Sequence, residues 1–164
     1  MATRAGATAV LRPTLLDRLI EPQGASSHPT IGLRDLKRAV ARDLEWLLNT
    51  RNELARSPEL ENLAEARASV LTYGVPDNSS GSRNSKSDRA RVRREIASAV
   101  RTFEPRLVPA TVVVTDLEAP KDLADSNLRF RIEGTLHVEP ISEPVFFDST
   151  VELTTGEFHV DGSL

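Results

Sequence analysis

Residues 128–139 read Leu-Arg-Phe-Arg-Ile-Glu-Gly-Thr-Leu-His-Val-Glu, apolar and polar side chains in turn, with Gly134 in one apolar slot. A period of two places Leu128, Phe130, Ile132, Leu136 and Val138 on one face of a strand and charges on the other. The stretch therefore predicts a half-buried strand, bent or bulged at the glycine. Val145, Phe147, Val151 and Leu153 repeat the alternation, Thr155-Gly156 predicts a tight turn, and Phe158 with Val160 predicts a short last strand. Upstream, Val112–Val114 within Leu107–Thr115 predicts an earlier strand.

Before residue 107 the period is helical. Leu33, Leu36, Val40, Leu44 and Leu47 fall on one side of a helix ending near Asn49. Trp46, the single tryptophan, projects to the other side beside Asp35, Arg42 and Asn49. Two readings stand for it: packing under another segment of the domain, or anchoring a partner, a role in which Trp is enriched. Ser57-Pro58-Glu59 has the form of a helix start, predicting a short second helix to about Glu65 or Ala68. Tyr73-Gly74-Val75-Pro76-Asp77 predicts a turn, and the small polar run 78–88 a surface loop. A third helix is expected from about Asp88 to Phe103, with Val92, Ile96, Ala99, Val100 and Phe103 inward, Arg94 and Arg101 outward, and Pro105 as its stop.

Helices first and strands afterwards give an α+β fold: three helices followed by an antiparallel sheet of about four strands, with the helices on its apolar face. The 164 residues suit one such domain over 31–164. Residues 1–30 read as an arm and linker, in which Leu15, Leu16, Leu19 and Ile20 are too few for a core and suit a groove on this protein or a neighbour.

Composition removes several functions. With no cysteine, the chain has no disulfide framework, thiolate metal site or cysteine nucleophile. No apolar run approaches the roughly 20 residues of a bilayer crossing. Met1–Val10 shows no apolar signal region, so a cytoplasmic protein is expected. His28, His137 and His159 have no metal-ligand spacing, and neither a nucleophile elbow nor a phosphate-cradling glycine pattern occurs, so neither metal nor cofactor is expected.

The net charge of −3 is polarised: residues 1–106 hold 18 Lys and Arg against 13 Asp and Glu, residues 107–164 hold 3 against 11. Such polarity either steers charged partners or only keeps the protein soluble. Arg89, Arg91, Arg93, Arg94 and Arg101 spread around the third helix without aromatic residues for stacking, which argues against nucleic acid. For a carboxylate-pair hydrolase the best candidate acid is Glu104, but neighbouring Arg106 favours the wrong, ionised form.

Phe103-Glu104-Pro105-Arg106-Leu107, at the helix-to-strand junction, resembles the Glu-Pro-Arg signature of the lysozyme-like contractile-tail wedge family, which includes the type VI secretion baseplate subunit TssE. Leu44-Glu45-Trp46-Leu47-Leu48-Asn49-Thr50-Arg51 resembles the end of that family's first helix. Ser69-Val70-Leu71-Thr72-Tyr73-Gly74-Val75-Pro76-Asp77 resembles its Tyr-Gly turn and Phe130-Arg131-Ile132-Glu133-Gly134 its sheet. Leu15-Leu16-Asp17-Arg18-Leu19 is similar to the Leu-x-x-Arg-Leu arm of TssE, which favours the secretion machine over a phage tail.

The resemblance implies a non-enzymatic baseplate wedge component, assembled at the inner face of the cell envelope, that docks or nucleates the contractile sheath. The implied partners are the wedge proteins TssF, TssG and TssK and the sheath subunits TssB and TssC, with no nucleic acid and no membrane insertion. A strand added at a sheet edge would serve for sheath docking, and the Phe158–Leu164 segment is the expected edge. The expected partner-interface residues are Glu104, Pro105, Arg106, Leu15, Leu16, Arg18, Leu19 and Trp46. For Glu104 and Arg106 a local junction brace is the competing role, and surface placement of the pair is expected on the ground that a buried one is costly. A muramidase and the phage-tail counterpart are the alternative functions.

Overall fold

The computed structural model describes residue 19 and residues 32–77, 85–117, 127–138, 141–152 and 155–162. The order is α1 (Leu33–Asn49), 3-10 turns at Glu53–Arg56 and Pro58–Leu60, α2 (Ala64–Arg67), a 3-10 turn at Val70–Thr72, α3 (Lys86–Phe103), a 3-10 turn at Pro109–Thr111, and strands β1 (Val113–Leu117), β2 (Asn127–Val138), β3 (Ile141–Glu152) and β4 (Phe158–Gly162). The strands form one antiparallel sheet in chain order. The α+β fold expected from the change of period is the one observed.

Leu128, Phe130, Ile132 and Leu136 of β2, with Val145, Phe147 and Val151 of β3, are buried against Val40, Leu44 and Leu48 of α1 and Val92, Ile96 and Val100 of α3. The alternate residues, among them Glu133, His137, Phe146, Glu152 and Asp161, are exposed on the opposite face. Gly134 introduces no bulge: pairing runs unbroken through Glu133↔Phe146, Gly134↔Val145 and Thr135↔Pro144. The missing side chain serves packing instead. A Cβ there would meet Leu107 Cδ2 at 3.4 Å and Val112 Cγ2 at 3.7 Å, so the slot is filled from the segment before β1.

Two local expectations change. The second helix is not continuous: Pro58–Leu60 is a 3-10 turn, Ser57 supplies no side-chain cap, and only Ala64–Arg67 is α-helical. Propensity alone did not hold a segment with no buried residue in either piece, because helices this short gain their stability from packing. α3 starts at Lys86 because Ser85 Oγ accepts the Asp88 N–H (3.2 Å), two residues ahead of the expected start. Arg101 is exposed as expected, and its Nη2 donates to the Val112 carbonyl (2.6 Å).

Candidate functional site

α3 stops at Phe103, and Glu104 caps it through its N–H to the Val100 carbonyl (3.0 Å). Pro105 forbids another helical turn, and the chain enters the sheet at once. The Arg106 carbonyl accepts the His137 N–H (2.8 Å), Leu107 bridges Leu136, and the Val108 N–H donates to the Thr135 carbonyl (2.9 Å).

At this corner Glu104 is 3% exposed, which corrects the surface placement expected for it. Its Oε1 accepts the Arg106 backbone N–H (3.0 Å) and Nε (2.6 Å), and its Oε2 accepts Nη2. The same Nη2 donates to Asp43 Oδ2 of α1 (2.8 Å). Proline fixes the turn that lets the guanidinium fork close on a carboxylate two residues back, and Asp43 extends the pair to the other helix. Burial opposes the charge on Arg106, but the hydrogen bonds and charges of Glu104 and Asp43 outweigh it and raise the guanidinium above its ordinary value.

Tyr73 joins the corner. Its ring meets Phe103 edge-on, with centroids 5.3 Å apart, and burial, followed by the Asp43 and Glu104 charges, pushes its phenol up. The turn after it depends on Gly74, whose φ is +116° and where a Cβ would lie 2.2 Å from the Thr50 carbonyl oxygen. That close approach lets the Val75 N–H reach the Thr50 carbonyl and the Asn52 N–H reach the Val75 carbonyl, both at 2.9 Å. Arg51 ties this turn to the sheet by pairing with Asp77 and donating Nη2 to the Thr155 carbonyl (2.5 Å).

From the corner, Asp43 leads outward. Its Oδ1 accepts Arg42 Nη2 (2.8 Å), and the Arg42 guanidinium lies 4.9 Å from the ring centre of Trp46, which is 47% exposed. The fold thus brings Trp46, Glu104, Pro105 and Arg106 into one region, with Pro105 and Trp46 open to a partner. Sequence reasoning placed Arg42 beside Trp46 but missed Asp43, the residue that connects them to Arg106, because nothing in its spacing signals a contact 63 residues away. Leu15, Leu16 and Arg18 lie outside the described residues, and Leu19 is exposed.

The family described as "Baseplate wedge protein gp25" has a model that matches residues 34–141, a span that contains all of these contacts except that of Arg51 to Thr155. The chain belongs to the gp25 baseplate wedge family. That family is a structural one and includes TssE of type VI secretion. No curated protein and no solved structure matches the chain.

In this gp25-family chain the candidate acid Glu104 has both oxygens occupied by Arg106. It is not among the residues lining the cleft of 390 Å³ between α3 and the turns before it, whose polar walls include Glu61, Arg67 and Glu95. His137 and His159 are exposed, the latter with Nδ1 3.3 Å from Glu45, while His28 lies outside the described residues. Among the described residues no cluster of His, Asp and Glu could hold a metal ion, and no helix is long and apolar enough to cross a membrane. Arg89 and Arg93 pair with Asp116 at 3.4 and 3.8 Å, and Arg91 with Asp88 at 3.6 Å, so these three members of the arginine run have carboxylate partners within the fold.

The edge expected to receive a strand is occupied at Phe158 and Val160, while its residues 163–164 lie outside the described residues. β4 is an outer strand, but Asn49 Oδ1 accepts the Phe158 N–H (2.8 Å), Asn49 Nδ2 donates to the Phe158 carbonyl (2.8 Å), and Glu45 Oε2 accepts the Val160 N–H (2.8 Å). Side chains of α1 thus satisfy backbone groups that would otherwise template another chain.

Proposed function

We propose that the protein is a non-enzymatic wedge subunit of a type VI secretion baseplate. It stands on the cytoplasmic side of the inner membrane, joins the wedge through TssF, TssG and TssK, and docks the contractile sheath of TssB and TssC by accepting a strand. The observation that carries this reading is the family match over residues 34–141, joined to a Glu-Pro-Arg corner whose charges are committed to holding α1, α3 and the sheet together. A rigid corner with Trp46 and Pro105 on its outside suits a docking platform, since fixed surfaces lose little freedom on binding. The Leu15-Leu16-Asp17-Arg18-Leu19 arm supports the secretion machine over the phage tail and serves as a second, tethered contact.

Co-purification with TssF–TssG–TssK and with TssB–TssC, with and without Thr14–Ile20, tests the assignment. Retention of both sets by the full chain, with wedge retention lowered by the arm deletion, is the expected result; retention of neither refutes it. Reducing ends released from peptidoglycan by the purified chain would favour the muramidase instead.

A further inference from the structure

We infer that the sheet accepts its added strand along the first half of β3, Ile141–Phe146, and that the incoming strand carries a carboxylate toward the start of α1. This rests on the strand-docking reading above and names its site. β3 is 12 residues long, but β4 pairs only with Phe147–Val151, and among the described residues no strand lies beside Ile141–Phe146 on that side. Glu152 exchanges backbone hydrogen bonds with Gly156 and Glu157 on the β4 side. Counting back in twos, the backbones of Ser142, Pro144 and Phe146 point the same way. All three residues are exposed. Proline belongs where a strand's N–H side is unpaired, and Pro144 is tolerated in a 12-residue strand at such a position.

α1 shows what borders this notch. Along β4 its residues run in step with the strand: Asn49 bonds Phe158, Glu45 bonds Val160, and Ala41 lies where a Cβ on Gly162 would meet it at 3.3 Å. One helical step further is Lys37, whose Nζ is 3.6 Å from Glu143 in the open half of β3, flanked by Arg34 and Arg38. Acceptors of α1 guard the β4 edge, whereas cations and the positive helix start border the notch. Glu143 and Asp35 pair with Lys37 and Arg38, and no described residue pairs with exposed Arg34. A strand with an acidic side chain or a terminal carboxylate there complements Arg34, so we assign the occupant as an acidic extended segment of a sheath subunit.

Hydrogen exchange on the full chain, alone and bound to the TssB–TssC pair, tests the site. The Ser142 and Phe146 amides should exchange rapidly in the free chain and at least about tenfold more slowly in the complex, while those of Phe158 and Val160 stay as they were. Ser142→Pro and Phe146→Pro, each of which removes one outward donor, should each weaken sheath retention by about tenfold. Arg34→Glu should weaken it and reduce its salt sensitivity, and it keeps the experiment informative should Phe146→Pro fail to fold. Sheath retained with neither amide protected, or with both proline variants and Arg34→Glu binding normally, overturns the site and leaves the docking role standing. Protection already present in the free chain, from its own residues 163–164 or a second copy, also overturns it. No retention by the unaltered chain refutes the docking role itself, and the site with it.

Discussion

Arg106→Ala separates a brace from an interface. In the folded chain Arg106 gives Glu104, itself 3% exposed, two side-chain donors, and gives Asp43 a third contact. Truncation leaves Glu104 only the backbone N–H of residue 106, while Asp43 keeps Arg42. Removing one partner of a buried pair costs about 3–5 kcal/mol, because the other charge stays desolvated. The Arg106 and Asp43 side chains retain 22% and 24% exposure. Water can therefore reach part of the site, and we expect the lower end, about 3 kcal/mol. In a domain of this size that is a fall of about 6–12 °C in Tm, measurable by calorimetry or by circular dichroism during heating. The double variant Glu104→Leu with Arg106→Met should lie nearer the unaltered protein than Arg106→Ala, since a paired apolar replacement strands no charge. A Tm for Arg106→Ala within about 2 °C of the unaltered chain, a change of less than about 1 kcal/mol, would refute the brace. Loss of TssF–TssG–TssK binding in that same variant would return the pair to the interface.

Gly74→Ala should cost at least about 2 kcal/mol in urea unfolding, since it adds a Cβ at positive φ against a Thr50 carbonyl held by the Val75 N–H; unchanged stability would count against the turn geometry. Ser149 is 1% exposed and its Oγ has no hydrogen-bond partner among the described residues, so Ser149→Ala should raise stability by about 1 kcal/mol, and a loss of similar size would reveal a partner for the hydroxyl. Hydrogen bonds from Arg131 Nε and Nη2, at 2.7 and 2.9 Å, hold Asp148 below the usual carboxylate range. A carboxyl depressed in the folded state stabilises above its unfolded pKa, and that contribution disappears as pH falls through the folded value. Asp148→Asn should therefore flatten part of the acid loss measured by urea unfolding from pH 5 downward, and an unaltered pH profile would show that the pair contributes nothing.

What could be read from the chain alone was whatever depends on period. Val40, Leu44 and Leu47 announce a helix face, Leu128 to Leu136 a strand face, and both are buried as expected because burial of an apolar stripe acts on the same local repeat that displays it. The corner was legible only in part. Glu104, Pro105 and Arg106 stand out as a triplet, but Asp43 lies 63 residues from Arg106, and no local rule couples them. Gly134 shows the limit in another way. Its place in the alternation is plain, but whether such a gap marks a bulge or takes in a guest side chain is decided only by Leu107 and Val112. The edges follow the same logic. That a four-stranded sheet has two outer strands is a matter of counting, but whether β4 is free depends on Asn49 and Glu45, polar residues in α1 that sequence treats as solvated. Thus Asn49 and Glu45, the residues least readable as functional, occupy backbone groups of β4, while the pairing of β4 with Phe147–Val151 alone leaves Ile141–Phe146 without a neighbour on that side among the described residues.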